Sequence, residues 1–97
     1  MADTPDMDER ETVQVPIDGV LDLHNFAPGD LKYLIPDYLD ECRKAHIFQV
    51  RIIHGKGVGT LRRSVHAILK RLPAVKGFRL AGQDGGGWGA TLVDLKK

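Results

Sequence analysis

Residues 50–72 read VRIIHGKGVGTLRRSVHAILKRL, and the architecture can be worked out from this segment. The β-branched run at 49–54 predicts a short buried strand that ends in a histidine. Three glycines then fall within five positions, and apolar residues at helical spacing follow them. A strand, a glycine loop and a helix over about 60–72 form the kind of unit that joins neighbouring parallel strands. The apolar stripe of this helix comprises Leu61, Val65, Ile68, Leu69 and Leu72.

The remaining segments supply three more strands and one more helix. Residues 20–24 alternate apolar and polar, after an extended lead-in at 13–17, and predict the first strand. A helix follows, and Pro36 within it predicts either two helical pieces or a kink. Residues 75–80 and 90–95 predict the last two strands. The apolar positions of the first helix are Leu31, Leu34, Ile35, Tyr38, Leu39 and Cys42.

The order β-α-β-α-β-β predicts the architecture. Strand-helix-strand crossovers are nearly always right-handed, so both helices should cover the same face of the sheet. The expected fold class is α/β: an α+β two-layer sandwich with a four-stranded mixed sheet and two helices on one face. Ligands of such sheets collect at the carboxyl ends of the parallel strands. If the last strand is antiparallel, three stretches should meet at one rim: DLHN at 22–25, HGKGVG at 54–59 and GGGWG at 85–89.

Charge is divided unevenly along the chain. Residues 1–18 hold six acidic residues and one arginine, so residues 1–12 are expected to be a flexible acidic tail before a domain at 13–97. Residues 42–80 carry ten lysines or arginines and no acid. This uniformly basic segment favours a polyanionic partner; the alternative is a basic face that is only solvated.

Several classes of protein are disfavoured by composition. No apolar run is long enough to span a bilayer, and the acidic, polar start does not resemble a secretory signal, so a cytoplasmic protein without membrane contact is expected. The single cysteine, Cys42, falls on the apolar side of a helix and is interpreted as a small core residue. Zinc ligation has little support, because no compact His/Cys spacing is present.

The glycine loop predicts an anion cradle. Its spacing matches neither the Walker A pattern nor the dinucleotide fingerprint, so ATP and NAD are disfavoured as ligands. Backbone amides at Gly55, Gly57 and Gly59, with the ammonium of Lys56, suit a phosphate just before a helix start. Arg62 and Arg63 would add charge, and His66 is expected to contact phosphate beside Arg62. The alternative is that the glycines only make a tight turn.

Two histidines end neighbouring strands and are candidates for acid–base chemistry. His24 and His54 are expected to approach each other at the rim, and histidine is the side chain most often used for acid–base chemistry near neutral pH. Asp22 precedes His24 by two positions and is expected to orient its imidazole or to hold a cation. The alternatives are hydrogen-bonded edge histidines and a surface carboxylate.

These segments together resemble a known family. LDLHN at 21–25, IIHGKGVGTLR at 52–62 and GGGWGATLVDL at 85–95 are similar to the signature of the Smr (small MutS-related) domain, here in a stand-alone form. The resemblance implies a fold like the C-terminal domain of translation initiation factor three and an endonuclease activity, either DNA nicking or RNA cleavage. It places the functional Asp-x-His on Asp22 and His24, and the His-Gly-x-Gly on residues 54–57.

The chemistry of the rim favours RNA, and DNA nicking stays open. Hydrolysis of DNA generally needs metal ions held by several carboxylates, whereas RNA supplies its own 2′-hydroxyl nucleophile. His24, His54 and Lys56, together with the loop amides, would then supply a base, an acid and stabilisation of the charged phosphorane. No cofactor is assigned; the candidate is a divalent cation such as Mg²⁺ or Mn²⁺.

The rival hypothesis is a non-catalytic module that binds structured RNA or DNA. A small-molecule phosphoesterase ranks last, because it does not explain the extended basic segment. Trp88 is interpreted equally as a lid on the core or as a ring that stacks on a base. The partner is thus expected to be nucleic acid, while the ribosome or repair machinery and the oligomeric state are left open.

Overall fold

The computed structural model describes residues 16–55, 59–81 and 89–97. Its strands are β1 (Val20–Asp22), β2 (Gln49–Ile53), β3 (Val75–Leu80) and β4 (Ala90–Leu95), and its α-helices are α1 (Leu31–Lys44) and α2 (Thr60–Lys70). Two short 3₁₀ turns, Leu23–Asn25 and Pro28–Asp30, lie between β1 and α1. The expected tail at 1–12 and the first part of the lead-in at 13–17 lie outside the described residues.

The four strands form one mixed sheet in the order β1-β2-β4-β3. β1 pairs with β2 in parallel, and β4 runs antiparallel to both of its neighbours. The carboxyl ends of β1 and β2 therefore lie beside the start of β4. This confirms the predicted two-layer α+β architecture and the antiparallel last strand.

Both helices cover one face of the sheet. Side chains that alternate along the strands place Leu21, Val50 and Val93 on the inner face, and all three are fully buried. They form one core cluster with buried residues of α1 and α2, so both helices must pack on this side. The cluster comprises Leu21, Leu23, Leu31, Ile35, Tyr38, Leu39, Cys42, Val50, Ile52, Val65, Leu69, Val93 and Leu95.

α1 begins after a 3₁₀ turn and ends in a left-handed cap. Pro36 lies inside a continuous helix, so, of the two expected outcomes, the one with two helical pieces was wrong. A proline at this position removes the N–H that would bond the carbonyl four residues earlier, and its ring crowds that carbonyl. The apolar face of α1 is buried on both sides of the proline, and this packing offsets the cost. At the other end His46 adopts φ 63°, and the amides of His46 and Ile47 bond the carbonyls of Arg43 and Cys42.

The predicted stripe of α2 faces the core. Val65 and Leu69 are fully buried, and the remaining members of the stripe are partly buried against the same cluster. Burying one such side chain stabilises the fold by about 1.5–3 kcal/mol. Cys42 is fully buried in the core, which confirms its interpretation as a core residue.

β1 and β2 are shorter than predicted. β1 ends at Asp22 rather than at residue 24, because the Asp22 carboxylate caps the amide of His24 and starts a 3₁₀ turn. β2 ends at Ile53, one residue before His54. Among the described residues, none of the helices is long and apolar enough to cross a bilayer.

Candidate functional site

The backbone brings the ends of β1 and β2 to the start of β4. Asp22 pairs with Ile53, and Ile53 pairs with Ala90. One carbonyl then joins the glycine loop to β4, because the amides of His54 and Gly55 both donate to Gly89 O at 2.8 Å. The described parts of the three predicted stretches thus meet at a single rim.

Asp22 and His24 form a hydrogen-bonded pair on the surface of this rim. Oδ1 of Asp22 accepts from the backbone N–H of His24 at 3.0 Å and from its ring Nδ1 at 2.6 Å. The backbone hydrogen bond lowers the pKa of Asp22, so the carboxylate is ionised at neutral pH. Because Nδ1 donates to the carboxylate, Nε2 of the neutral imidazole carries the lone pair. The His24 side chain is 64% exposed, so this lone pair is accessible.

The His24 ring lies against Gly55, the first glycine of the loop. A Cβ at Gly55 would stand 3.6 Å from Nε2 of His24. Gly55 also has φ +84°, a conformation that side chains disfavour. The glycine therefore keeps the space beside the imidazole free and lets the chain turn immediately after β2.

His54 occupies a different environment from His24. Its residue exposure is only 5%, and both ring nitrogens are engaged: Nδ1 with Gly55 O at 3.0 Å and Nε2 with Thr91 Oγ1 at 2.8 Å. The two predicted histidines therefore adjoin the same glycine, but His24 faces solvent and His54 faces inward.

Thr91 is the residue that sequence reasoning missed. It pairs with Ile52 on the core face of β4 and is fully buried. A buried hydroxyl needs a hydrogen-bonding partner, so a polar residue at an inward strand position is the signal that could have identified it. Its hydroxyl contacts the Nε2 atoms of both His54 and His66 at 2.8 Å.

His66 connects this interior to the surface of α2. Its ring packs on Phe78, with 4.8 Å between the ring centroids, while Nε2 points inward to Thr91. Burial lowers the pKa of His66, and the neighbouring charges of His54, Arg62 and Lys70 lower it further. The neutral imidazole is thereby favoured near pH 7.

A basic groove runs along the outer side of α2. It has a volume of about 500 Å³ and extends from the start of the helix, at the rim, to its last turn. Five of its six lining residues are basic or imidazole side chains, so its potential is positive. The lining residues of this α2 groove are Arg62, Arg63, His66, Ala67, Lys70 and Arg71.

Gly59 shapes the end of the α2 groove nearest the rim. It precedes the helix with φ +89°, and a Cβ there would come within 3.0 Å of the Arg62 guanidinium. The arginine therefore folds over the glycine at the helix start. Lys56, Gly57 and Trp88 lie outside the described residues, so their predicted contacts stay predictions.

The described part of the rim does not fit a divalent cation. Residues 16–55, 59–81 and 89–97 contain no group of three or more His, Cys, Asp or Glu side chains arranged to hold a metal ion. The carboxylate that the structure places at the rim, Asp22, already accepts two hydrogen bonds through Oδ1. Mg²⁺ and Mn²⁺ prefer several oxygen ligands, and these residues do not supply such a set.

The fold and the rim together define a small α/β domain with a His-carboxylate pair and a basic helix at the ends of its parallel strands. The chain belongs to the Smr domain family, whose model matches residues 21–96. It is 41% identical over 80 residues to Endonuclease MutS2 of Clostridium tetani (strain Massachusetts / E88), an alignment that covers 82% of this chain and 10% of that protein. It is 49% identical over 63 residues to Endonuclease MutS2 of Lachnoclostridium phytofermentans, covering 65% of this chain and 8% of that protein. The chain spans about a tenth of the length of these curated relatives.

Solved structures of related domains have the same fold. The crystal structure of the Smr domain of Thermus thermophilus MutS2 superposes with a TM-score of 0.75 at 31% identity, covering 80% of this chain and 98% of that chain. YdaL, a stand-alone small MutS-related protein from Escherichia coli, gives a TM-score of 0.74 at 23% identity, covering 100% of this chain and 79% of that chain. At the latter identity the likeness shows the fold alone.

Proposed function

We propose that this domain binds nucleic acid along the α2 groove and cleaves its phosphodiester backbone at the rim, with RNA as the substrate. One observation carries the proposal: His24 is held by an ionised carboxylate and presents an exposed Nε2 beside a glycine turn. The relatives named Endonuclease MutS2 support the same class of activity. DNA nicking is the alternative substrate assignment.

His24 is suited to take the proton from a ribose 2′-hydroxyl. Its lone pair on Nε2 accepts that proton while the 2′-oxygen forms a bond to phosphorus. The P–O5′ bond then breaks, the 5′-oxygen takes up a proton from solvent water, and the His24 imidazolium returns its proton to the solvent. The products are a 2′,3′-cyclic phosphate and a 5′-hydroxyl. Asp22 keeps the proton on Nδ1 before the step and stabilises the imidazolium that the step creates.

In this proposal the remaining predicted residues bind or position the substrate. Backbone amides of the glycine loop and the Lys56 ammonium stabilise the charge that develops on the phosphorane. Arg62 and Arg63 bind flanking phosphates from the α2 groove. His54 was predicted to act as a second acid or base. Because both of its ring nitrogens are hydrogen-bonded inside the domain, we assign it a positioning role.

The second candidate function is a binding module without catalysis. The observation that favours it is the burial of His54. Of the two histidines predicted at the rim, His24 alone then has an exposed imidazole. In that case the α2 groove would still recognise structured RNA or DNA, and affinity would fall steeply with ionic strength.

The decisive experiment incubates the purified chain with labelled RNA and with supercoiled plasmid, with and without chelator, and identifies the product ends. A cyclic phosphate supports the 2′-hydroxyl route, whereas a 5′-phosphate points to water and metal. His24→Ala should lower the cleavage rate about 10²- to 10⁴-fold and leave most of the binding intact. His46→Asn is the matched control, because His46 is an exposed histidine at the far end of α1, and asparagine tolerates its left-handed backbone. A wild-type protein that binds but cuts neither substrate would establish the binding module instead.

A further inference from the structure

Three side chains from different elements form a continuous hydrogen-bonded chain beneath the rim. His66 on α2 and His54 at the end of β2 both contact the hydroxyl of Thr91 on β4, each through Nε2 at 2.8 Å. His54 continues the chain through Nδ1 to the carbonyl of Gly55 at 3.0 Å. This series of hydrogen bonds therefore leads from the α2 groove to Gly55, the glycine that adjoins His24.

The donors and acceptors in this chain can be assigned from chemistry alone. A carbonyl oxygen only accepts, so Nδ1 of His54 must carry a proton and donate it to Gly55. In the neutral imidazole Nε2 then has no proton and accepts from the Thr91 hydroxyl. Threonine has one hydroxyl proton, and it is used in that bond. Nε2 of His66 must therefore be protonated and donate to Thr91 Oγ1.

We propose that Thr91 is a positioning residue of the rim: its hydroxyl anchors Nε2 of the His54 ring, so that the Nδ1–H of the same ring fixes the Gly55 carbonyl. Thr91 is suited to this task because it is fully buried and held in the sheet by pairing with Ile52. Its Oγ1 therefore has a fixed place relative to the end of β2. The role in catalysis rests on the proposed function, since Gly55 borders the Nε2 of His24.

A purely structural role for Thr91 makes a different prediction. If the hydroxyl merely filled a core position, valine would replace threonine with little change in the His54 ring or at Gly55. The observed geometry allows the neutral His54 a single tautomer, and it gives His66 the opposite one. The lowered pKa of His66 agrees with a chain of neutral imidazoles.

The direct test is the tautomeric state of the two rings in the wild-type chain. Long-range ¹H–¹⁵N NMR spectra of the uniformly ¹⁵N-labelled protein at pH 8, where an ordinary imidazole is neutral, distinguish the two protonated nitrogens. We expect His54 to be protonated at Nδ1 and His66 at Nε2. A His54 protonated at Nε2, or a fast mixture of both forms, would overturn the proposal. This result does not depend on whether the protein cleaves RNA.

Two variants of Thr91 then test whether its hydroxyl affects the structure and activity of the rim. Thr91→Ser keeps the hydroxyl, whereas Thr91→Val keeps the branched shape and removes it. In Thr91→Val we expect the His66 ring to become a mixture of tautomers, the Gly55 amide signal to shift, and RNA cleavage to fall up to about tenfold, the equivalent of one net hydrogen bond. Thr91→Ser should retain the wild-type tautomers and most of the activity.

The results of these experiments distinguish a failure of the Thr91 proposal from a failure of the proposed function. If the wild type cleaves nothing, the proposed function fails, and the His66 and Gly55 signals of Thr91→Val still decide the role of Thr91. If Thr91→Val does not fold, a wild-type His54 protonated at Nε2 still overturns the proposal, and a Thr91→Ser variant with the wild-type tautomers and Gly55 signal supports it. A folded Thr91→Val with unchanged His66 and Gly55 signals and unchanged cleavage would refute the positioning role.

Discussion

Oδ1 of Asp22 lies 2.6 Å from Nδ1 of His24, and the same oxygen caps the His24 amide at 3.0 Å. One carboxylate oxygen therefore fixes both the backbone and the ring of the exposed histidine. An asparagine in place of Asp22 would keep the shape of the side chain and lose the charge that stabilises the imidazolium.

We therefore expect Asp22→Asn to retain the fold and to slow RNA cleavage about 10²-fold, at the low end of the range for an acid–base residue. Initial rates with a labelled oligonucleotide measure the effect, and urea unfolding serves as the folding control. Equal rates for wild type and Asp22→Asn would show that the carboxylate does not assist His24.

Gly55→Ala should damage activity more than stability. An alanine at φ +84° costs about 1–2 kcal/mol of folding free energy. Its methyl group would also stand 3.6 Å from Nε2 of His24, in the space where we place the reacting phosphate. The rate of cleavage is expected to fall by more than the fraction of folded protein does.

Gly77→Ala is the matched control for this comparison. Gly77 lies in β3, and a Cβ there would meet nothing within 4 Å. Urea unfolding and cleavage rates of the two variants are measured side by side. Similar activities for both would contradict the assignment of the space beside His24 to the substrate.

The α2 groove predicts a specific salt dependence of binding. Arg63 and Arg71 line the groove at its two ends, and each contact with a phosphate releases counterions. Arg63→Ala and Arg71→Ala should each reduce the slope of log affinity against log salt by about 0.7 for single-stranded nucleic acid. Fluorescence anisotropy with a labelled oligonucleotide over a range of salt concentrations gives the slope.

Lys32→Ala controls for the loss of one positive charge from the protein as a whole. Lys32 lies on α1, with its ammonium 5.1 Å from the Tyr33 ring, and is not part of the α2 groove. Its replacement should leave the slope unchanged. A similar decrease for all three variants would mean that net charge, and not the groove, governs binding.

The buried phenol of Tyr38 leads us to expect that the protein loses folding stability at alkaline pH. Its buried hydroxyl accepts from the Gly19 amide at 3.1 Å and donates to Val20 O at 3.2 Å, at the start of β1. Burial raises the pKa of Tyr38 to about 12. Because the folded state binds this proton more tightly than the unfolded chain does, the associated stability is complete below about pH 10 and is lost as the pH rises towards about 12.

Tyr38→Phe should therefore cost about 1 kcal/mol at pH 7, and the difference from wild type should shrink between about pH 10 and pH 12. Urea unfolding at several pH values measures this difference. Tyr33→Phe is the control, because Tyr33 is 65% exposed. A stability difference that stays constant over this alkaline range would show that the Tyr38 phenol does not ionise differently in the folded state.

Periodicity predicted most of the fold. Residues 75–80 and 90–95 are strands with the predicted bounds, because each is a short run containing several apolar residues and follows a proline or a glycine-rich segment. The end of β1 was wrong by two residues, since the Asp22 carboxylate competes for the His24 amide. Pro36 did not divide α1, because the buried side chains around it stabilise the helix across the missing hydrogen bond.

The candidate site was predictable only in part. Strand order places His24 and His54 at one rim, and in the structure both adjoin Gly55. The different burial of the two histidines could not be predicted. His54 faces inward because it bonds Thr91, a residue 37 positions further along the chain. Which residues of β2 and β4 face each other depends on strand register, and the sequence of either strand alone does not determine it.

The carbonyl of Gly89, which receives the amides of both His54 and Gly55, has a consequence for how this surface can change. Main-chain atoms anchor the entrance of the loop, so the side chains around it are free to vary without displacing it. Under the proposed function, new substrate preferences would arise through exchange of residues along the helix flank, while the loop entrance keeps its position relative to the sheet.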